Sequence, residues 1–212
     1  MTSSERGLLA VWLDIPEAVE ADLNDWYDRE HMAERATVPG FRNARRYFAE
    51  AGGPKYFALY ETDSLGVLVS PEYRRYLGPA MSAWSKRVQP KFVNNHRLCC
   101  AEVARAGGGI GGVVAVARFP ATPALAERLK GGALAAALRV SGALGAQAWR
   151  SDLAVTFPDG APTGAAAELV VVVQGIRADA AAAGLQAVLD AAPEAMVANH
   201  RGLYRLLHAL PD

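Results

Sequence analysis

The hydrophobic pattern of the chain switches between two periods. Residues 7–15, GLLAVWLDI, form a short, nearly unbroken apolar run, the mark of a buried strand. Val19, Leu23, Trp26, Glu30, Ala33 and Thr37 then recur at helical spacing, with Glu30 in the middle of the stripe. Asp14 and Glu17 stand at capping-box spacing and Pro16 suits a first turn, so the pattern predicts a helix start there. Pro39-Gly40 ends that helix. Residues 41–50 and 55–62 alternate as strands around the hairpin signal Ala51-Gly52-Gly53-Pro54. Residues 63–88 read as helix in pieces, restarted at Ser70-Pro71 and broken at Gly78-Pro79, and 92–103 as a strand.

The second half repeats this order. It reads as a strand at 112–119, a helix from Thr122-Pro123 to about 138, strands at 144–153 and 167–176, a helix near 179–191 and a strand at 196–208. Short matches recur in the same order. Leu9-Ala10-Val11 falls on Gly111-Gly112-Val113, Val38-Pro39-Gly40-Phe41 on Val140-Ser141-Gly142-Ala143, and Val93-Asn94-Asn95-His96-Arg97 on Val197-Ala198-Asn199-His200-Arg201. Ordered matches of this kind indicate an internal duplication. Residues 1–104 form the first repeat, 105–111 a linker and 112–212 the second repeat, with 157–166 as an insertion. One β-α-β-β-α-β unit makes a four-stranded antiparallel sheet with both helices on one face, leaving an apolar face that needs cover. The expectation is an α+β chain of two tandem ferredoxin-like units with their sheets face to face.

Composition narrows the partners. Lys+Arg and Asp+Glu are both 22, and a neutral balance argues against nucleic acid or an anionic membrane surface. No apolar run reaches membrane-spanning length and MTSSERG carries no apolar h-region, so a cytoplasmic location is the default. The Ala, Gly and Arg content suits a GC-rich bacterial genome. Cys99 and Cys100 are neighbours in a strand and point to opposite faces, which disfavours a disulfide between them. The run from Gly107 to Gly112 precedes a strand rather than opening a helix, so it is no dinucleotide fingerprint.

The segment Trp26-Tyr27-Asp28-Arg29-Glu30-His31, followed by Glu34-Arg35, Val38-Pro39-Gly40-Phe41 and Ala44-Arg45-Arg46-Tyr47, resembles the first-repeat signature of the dimeric α/β-barrel superfamily. The likeness is greatest to its EthD-like and related uncharacterised branches. It covers about residues 7–100, and extends over 112–208 by topology alone. The resemblance implies an intrachain dimeric α/β barrel with a pocket by the sheet. It also implies one of several activities: cofactor-free oxygenases, polyketide cyclases, lactone isomerases, dehalogenating and haem-linked enzymes. In several branches a His and a Tyr do acid–base work, and only His31 and Tyr27 carry that over.

The residues themselves suggest a similar chemistry. Tyr27 and His31 share one helix face on the shoulder of the apolar stripe, with Glu30 inside the stripe and Glu34 one turn on. A carboxylate facing a core must be paired or protonated. The functional reading takes His31 as proton carrier, Tyr27 as donor to a developing oxyanion and Glu30 as their partner, with the His31 pKa raised by an ionised Glu30 or Glu34. The plainer reading is a helix flank whose Glu30 and Glu34 pair with Arg45 or Arg46. The second repeat replaces the set by Leu129, Gly132, Ala133, Ala136 and Ala137, which points to one active half with the pocket and one scaffold half. Glu34, Arg35, Arg46, Tyr60, Trp84 and His96 are the candidates for substrate binding. For Trp84, which with Arg87 would close a pocket mouth, and for His96, matched by His200, structural roles compete. Glu30, His31 and Glu34 lack metal-ligand spacing, and no metal or other cofactor is expected. The expected function is a cofactor-independent isomerase, cyclase, lyase or oxygenase acting on a hydrophobic, carbonyl-bearing small molecule. The rivals are a non-catalytic small-molecule-binding protein and a haem-handling protein with His31 or His96 as axial ligand. The expected partners are the substrate and a second copy of the fused unit.

Overall fold

The computed structural model describes residues 6–193 and 198–210. Met196 and Val197, assigned to the last strand by the sequence pattern, lie outside the described residues. The first half contains strands β1 (Gly7–Asp14), β2 (Phe41–Gly52), β3 (Tyr56–Thr62) and β4 (Val93–Gly107). The second contains β5 (Val113–Pro120), β6 (Ala143–Ser151), β7 (Glu168–Gly175) and β8 (His200–Leu210). All eight close into one antiparallel barrel in the order β1-β3-β2-β8-β5-β7-β6-β4. Each half contributes the same local order, fourth strand, first, third, second. The sheets face each other and are also joined at both edges, by β2 on β8 and β4 on β6, which leaves no free strand edge among the described residues.

The duplication is written into the hydrogen bonds. Gly40 and Gly142 both adopt left-handed backbone, at φ 91° and 89°, and the carbonyl of each accepts from the chain leaving the third strand, Asp63 and Ile176 respectively. Trp12 opposes His96 as Arg118 opposes His200. This register makes Gly7 of β1 equivalent to Val113 of β5, so the sequence pairing of Leu9 with Gly111 is out of register. The later matches hold. Arg105, Ala106 and Gly107, expected in the linker, continue β4 because β6 offers them a partner edge.

Three apolar layers result. Inside the barrel, Trp12, Tyr47, Phe57, Trp149 and Tyr204 pack with Leu8, Leu98, Cys100 and Val172. Outside, each half has its own sheet–helix core, and Cys99 lies in the first of these, on the face opposite Cys100. Over the first sheet run α1 (Glu20–Trp26), a π-helical turn (Tyr27–His31) and α2 (Met32–Ala36). Asp14 does not cap this run. It instead accepts from the Lys55 backbone N–H at 2.6 Å and from Asn94 Nδ2 at 2.7 Å. The second crossing is a chain of fragments, including α3 (Pro71–Arg74), α4 (Ala83–Val88) and three 3-10 turns. Its breaks fall at Ser70-Pro71 and Gly78-Pro79, as the sequence predicts. Over the second sheet lie α5 (Pro123–Lys130), a 3-10 segment (Ala133–Arg139) and one unbroken helix, α7 (Ala178–Asp190), whereas the short α6 (Leu153–Thr156) crosses to β4, where Val155 joins the first-half core and Thr156 bonds Cys99. Among the described residues no helix is long and apolar enough to cross a membrane.

Candidate functional site

The π turn decides what the first helix presents. The Met32 N–H bonds the Tyr27 carbonyl, five residues back, which inserts one extra residue into the turn. A uniform 100° wheel therefore fails here. Tyr27 and Arg35, not Glu30 and Ala33, face the sheet: Tyr27 is 2% exposed and Arg35 1%, whereas Ala33 is exposed and Glu30 half-buried. His31 is half-buried, stacked on Trp26 with ring centroids 4.1 Å apart and edge-on to Tyr27 at 5.2 Å and Tyr60 at 6.3 Å.

Between this helix and the sheet is a cavity of about 180 Å³. Tyr27, His31 and Arg35 line it from the helix, and Leu9, Val11, Tyr60, Asn95 and Arg97 from the outer sheet face. Tyr73, Leu77, Gln89 and Phe92 close it from the broken second crossing. Four of the predicted residues, Tyr27, His31, Arg35 and Tyr60, thus meet. Arg97, Asn95 and Tyr73 were missed, although strand alternation from Cys99 puts Arg97 and Asn95 on the helix side.

The remaining candidates lie elsewhere. Glu30 accepts from Ser82 Oγ at 2.6 Å and is drawn off to the start of α4. Glu34 is half-buried at the helix flank, off the cavity wall, with its pKa raised by burial. Neither glutamate pairs with Arg45 or Arg46 among the described residues. Arg45 turns into the barrel and bonds Glu61 at 2.5 Å. Arg46 stands behind the Tyr27 ring, 4.3 Å from its centroid, and donates to Asn24 Oδ1 at 2.6 Å, facing a separate polar groove. Trp84 does not close the cavity. Its Nε1 donates to Asp22 at 2.9 Å, Arg87 bonds the same carboxylate, and together they hold the Asp22 pKa down at about 2. His96 sits at one end of the barrel, with Nε2 2.9 Å from Glu168 Oε1, and flanks Trp12 opposite His200. The two matched histidines share a structural setting.

Electrostatics follow from this placement. Burial, then the Arg35 and Arg46 charges, push the His31 pKa well below 6.5. The expected rise fails because no carboxylate among the described residues reaches the ring. His31 is therefore a neutral imidazole at pH 7. Burial raises the Tyr27 phenol and carries Tyr60 far above 10, so both remain proton donors. His31 Nδ1, Tyr60 Oη and Arg35 Nε and Nη1 are buried with no hydrogen-bond partner among the described residues. Buried polar groups are seldom left this way; a second set, including Trp12, Tyr47, Arg118, Gln147, Trp149 and Gln174, lies away from this cavity.

The site does not suit haem. A cavity of about 180 Å³ has room for one aromatic ring, not a porphyrin, beside His31. The Nε2 of His96 is engaged by Glu168. Larger hollows exist, but not with this chemistry. An apolar groove of about 320 Å³ runs between α7 and β8, so the expectation that any substantial pocket lies in the first half fails on volume. Beside Ala133, the counterpart of His31, the second half is packed shut.

No protein-family model and no curated protein matches the chain. Solved structures do. A protein described as anthrone oxidase-like aligns with a TM-score of 0.68 at 12% identity, over 99% of this chain and 94% of its own. A candidate monooxygenase from Lactobacillus acidophilus gives 0.62 at 9% identity, over 98% and 97%. A haem-binding protein from Thermus thermophilus gives 0.57 at 9% identity, over 96% and 92%. The chain has the dimeric α/β-barrel fold, with both halves of the barrel supplied by one polypeptide.

Proposed function

We propose that this chain is an acid–base enzyme acting on a small, carbonyl-bearing, largely apolar molecule held in the first-half cavity. The observation that carries the reading is that His31, Tyr60 and Arg35 line one cavity with partly apolar walls, and that each has a buried polar atom (His31 Nδ1, Tyr60 Oη, Arg35 Nε and Nη1) unpartnered among the described residues. His31, neutral and desolvated, takes a proton from carbon next to the carbonyl. The electron pair moves onto the carbonyl oxygen, where the Tyr60 and Tyr27 phenols donate to the developing oxyanion. Arg35 and Arg46 add positive field without becoming proton donors. The enolate so formed is the common precursor of isomerisation, cyclisation, elimination and reaction with dioxygen. The neighbours described as an anthrone oxidase-like protein and a candidate monooxygenase favour the last of these. No step is assigned to a metal or a haem.

The test needs no known substrate. Single-ring ketones are incubated with the protein in deuterated water, and exchange at the α-carbon is followed by NMR. Exchange above the buffer rate, lost in His31→Ala, supports the reading. Ketones that perturb the Tyr60 ring resonance but never exchange would leave a binding protein instead.

A further inference from the structure

Three arginines of the first half are fully buried, and they are not treated alike. Arg45 has Glu61 at 2.5 Å. Arg46 has Asn24 at 2.6 Å and Asp28 at 3.8 Å, and lies against the faces of Tyr27 and Tyr56. Arg35, only 1% exposed, makes no salt bridge among the described residues, and the half-buried Glu34 beside it acts on it only through space. It makes one hydrogen bond, from Nη2 to the Tyr76 carbonyl at 3.3 Å, and its guanidinium lies 5.2 Å and 5.0 Å from the centroids of Tyr73 and Tyr76. Its Nε and Nη1 find no acceptor among the described residues. A buried charge without an opposite charge is costly, and aromatic faces offset only part of that cost.

The cavity wall opposite carries a second cation. Arg97 of β4 reaches it from the sheet and bonds neutral groups, the Thr156 carbonyl at 3.2 Å and Tyr73 Oη at 3.4 Å. Among the described residues no Asp or Glu lines the cavity. Two arginines thus line one small space with no carboxylate of the protein's own on its wall among the described residues. Leu9, Val11, Leu77 and Phe92 form the apolar part of the wall. A cavity of about 150 Å³ accommodates benzene, so about 180 Å³ takes one ring with a small substituent.

We propose that the ligand is a single-ring carboxylate, with its anionic group held by Arg35 and Arg97 and its ring between the sheet and Phe92. This rests on reading the cavity as a ligand site, and it adds the charge and size of the molecule. The carboxylate supplies the direct ion pair that Arg35 lacks, as Glu61 does for Arg45.

The test compares benzoate with benzamide, which match in shape and differ in charge. Binding to the full chain is followed by calorimetry and by the ring resonances of Tyr60 and His31 at low salt. Benzoate is expected to bind at least about tenfold tighter, weakening as salt is added. Arg35→Met should bring the ratio close to one and Arg35→Lys should keep part of it. Arg97→Met, at a less buried position, should lower the ratio independently and covers the case in which Arg35→Met does not fold. Equal binding of the two probes, no binding of benzoate at millimolar concentration, or full selectivity surviving in Arg97→Met and a folded Arg35→Met would each overturn the proposal. The two readings fail separately. Benzoate selectivity retained in a protein that exchanges no ketone keeps the anion site without the proton transfer. Exchange of neutral ketones with no preference for carboxylates does the reverse.

Discussion

The two halves share one strand order, yet only one encloses titratable side chains between its helices and its sheet. The difference lies in how closely helix approaches sheet. In the second half α7 lies directly on the strands because small residues meet there. A Cβ on Gly175 would stand 2.7 Å from the Ala181 backbone nitrogen, and one on Gly184 2.9 Å from Val173 Cγ1. In the first half Tyr60 occupies the ladder position of Val173, since Ala44 opposes the one as Ala146 opposes the other. Tyr27, His31 and Arg35 stand above it, where the second half has Leu129, Ala133 and Ala137. Large polar side chains hold the crossing segment away from the sheet, and a crossing broken into fragments cannot refill the gap. The same fold is thus a closed scaffold on one side and a chemical site on the other, and side-chain size at a few facing positions decides which.

The largest expected effect tests that contrast at its centre. His31→Ala should slow proton exchange by roughly 10²–10⁴-fold, the usual scale for a lost general base. Ala133→His, which places imidazole at the matching point of the second half, should add no exchange activity. An Ala133→His protein that restores exchange to His31→Ala would show that the cavity's tyrosines and arginines are dispensable. A histidine on the shoulder of a helix costs little to remove. Stacking on Trp26 changes that for His31, and its removal should also cost about 0.5–1.5 kcal/mol of stability.

Packing gives the next effect. Gly184→Leu should destabilise the chain by about 1–3 kcal/mol through overpacking against Val173 and Ala143, outweighing the roughly 1 kcal/mol gained in helix propensity. Leu77→Trp, at the cavity wall of the first half, should change stability by about 1 kcal/mol or less while abolishing benzoate binding. Denaturant unfolding of the two variants measures the difference directly. Equal destabilisation would mean that both interfaces are equally tight.

Much of this contrast was legible in the sequence, and what was not has a physical cause. Turn chemistry announced itself: Gly40 and Gly142 need left-handed backbone, and the breaks at Ser70-Pro71 and Gly78-Pro79 fragment the first-half crossing. The alanines and glycine opposite the cluster pointed to the scaffold half. The π turn left no signature, because Tyr27 to His31 contains no Gly, Pro or β-branched residue. Without it the helical wheel puts Glu30 in the core and Arg35 outside, the reverse of what occurs. First-strand register was also misread, because an apolar run looks alike at several offsets. The separate fates of Arg35, Arg45 and Arg46 depend on partners distant in sequence, which local pattern does not reveal.

The last effect concerns acid stability, in both halves. His31 in the first half and His200 in the second both have depressed pKa values, His31 well below 6.5 and His200 down to about 4. For His200 burial is again the first cause, followed by the Arg118 and His96 charges. In the unfolded chain both titrate near 6.5. Below that pH the unfolded state binds a proton that the folded state refuses, so stability rises with pH and is lost as pH falls. For His200 the loss is complete near pH 4, where the folded ring also protonates. For His31 the loss likewise sets in as pH falls below about 6.5, with a limiting slope of about 1.4 kcal/mol per pH unit. His31→Phe, which keeps the stacking on Trp26, should therefore flatten the acid limb of the stability curve below about pH 6.5. His200→Phe should flatten it only between about 6.5 and 4. Both are read from unfolding free energies measured at matched ionic strength across that range. A His31→Phe protein whose acid limb superposes on the wild type would mean that the His31 ring reaches water freely, and the neutral, desolvated base would have to be abandoned.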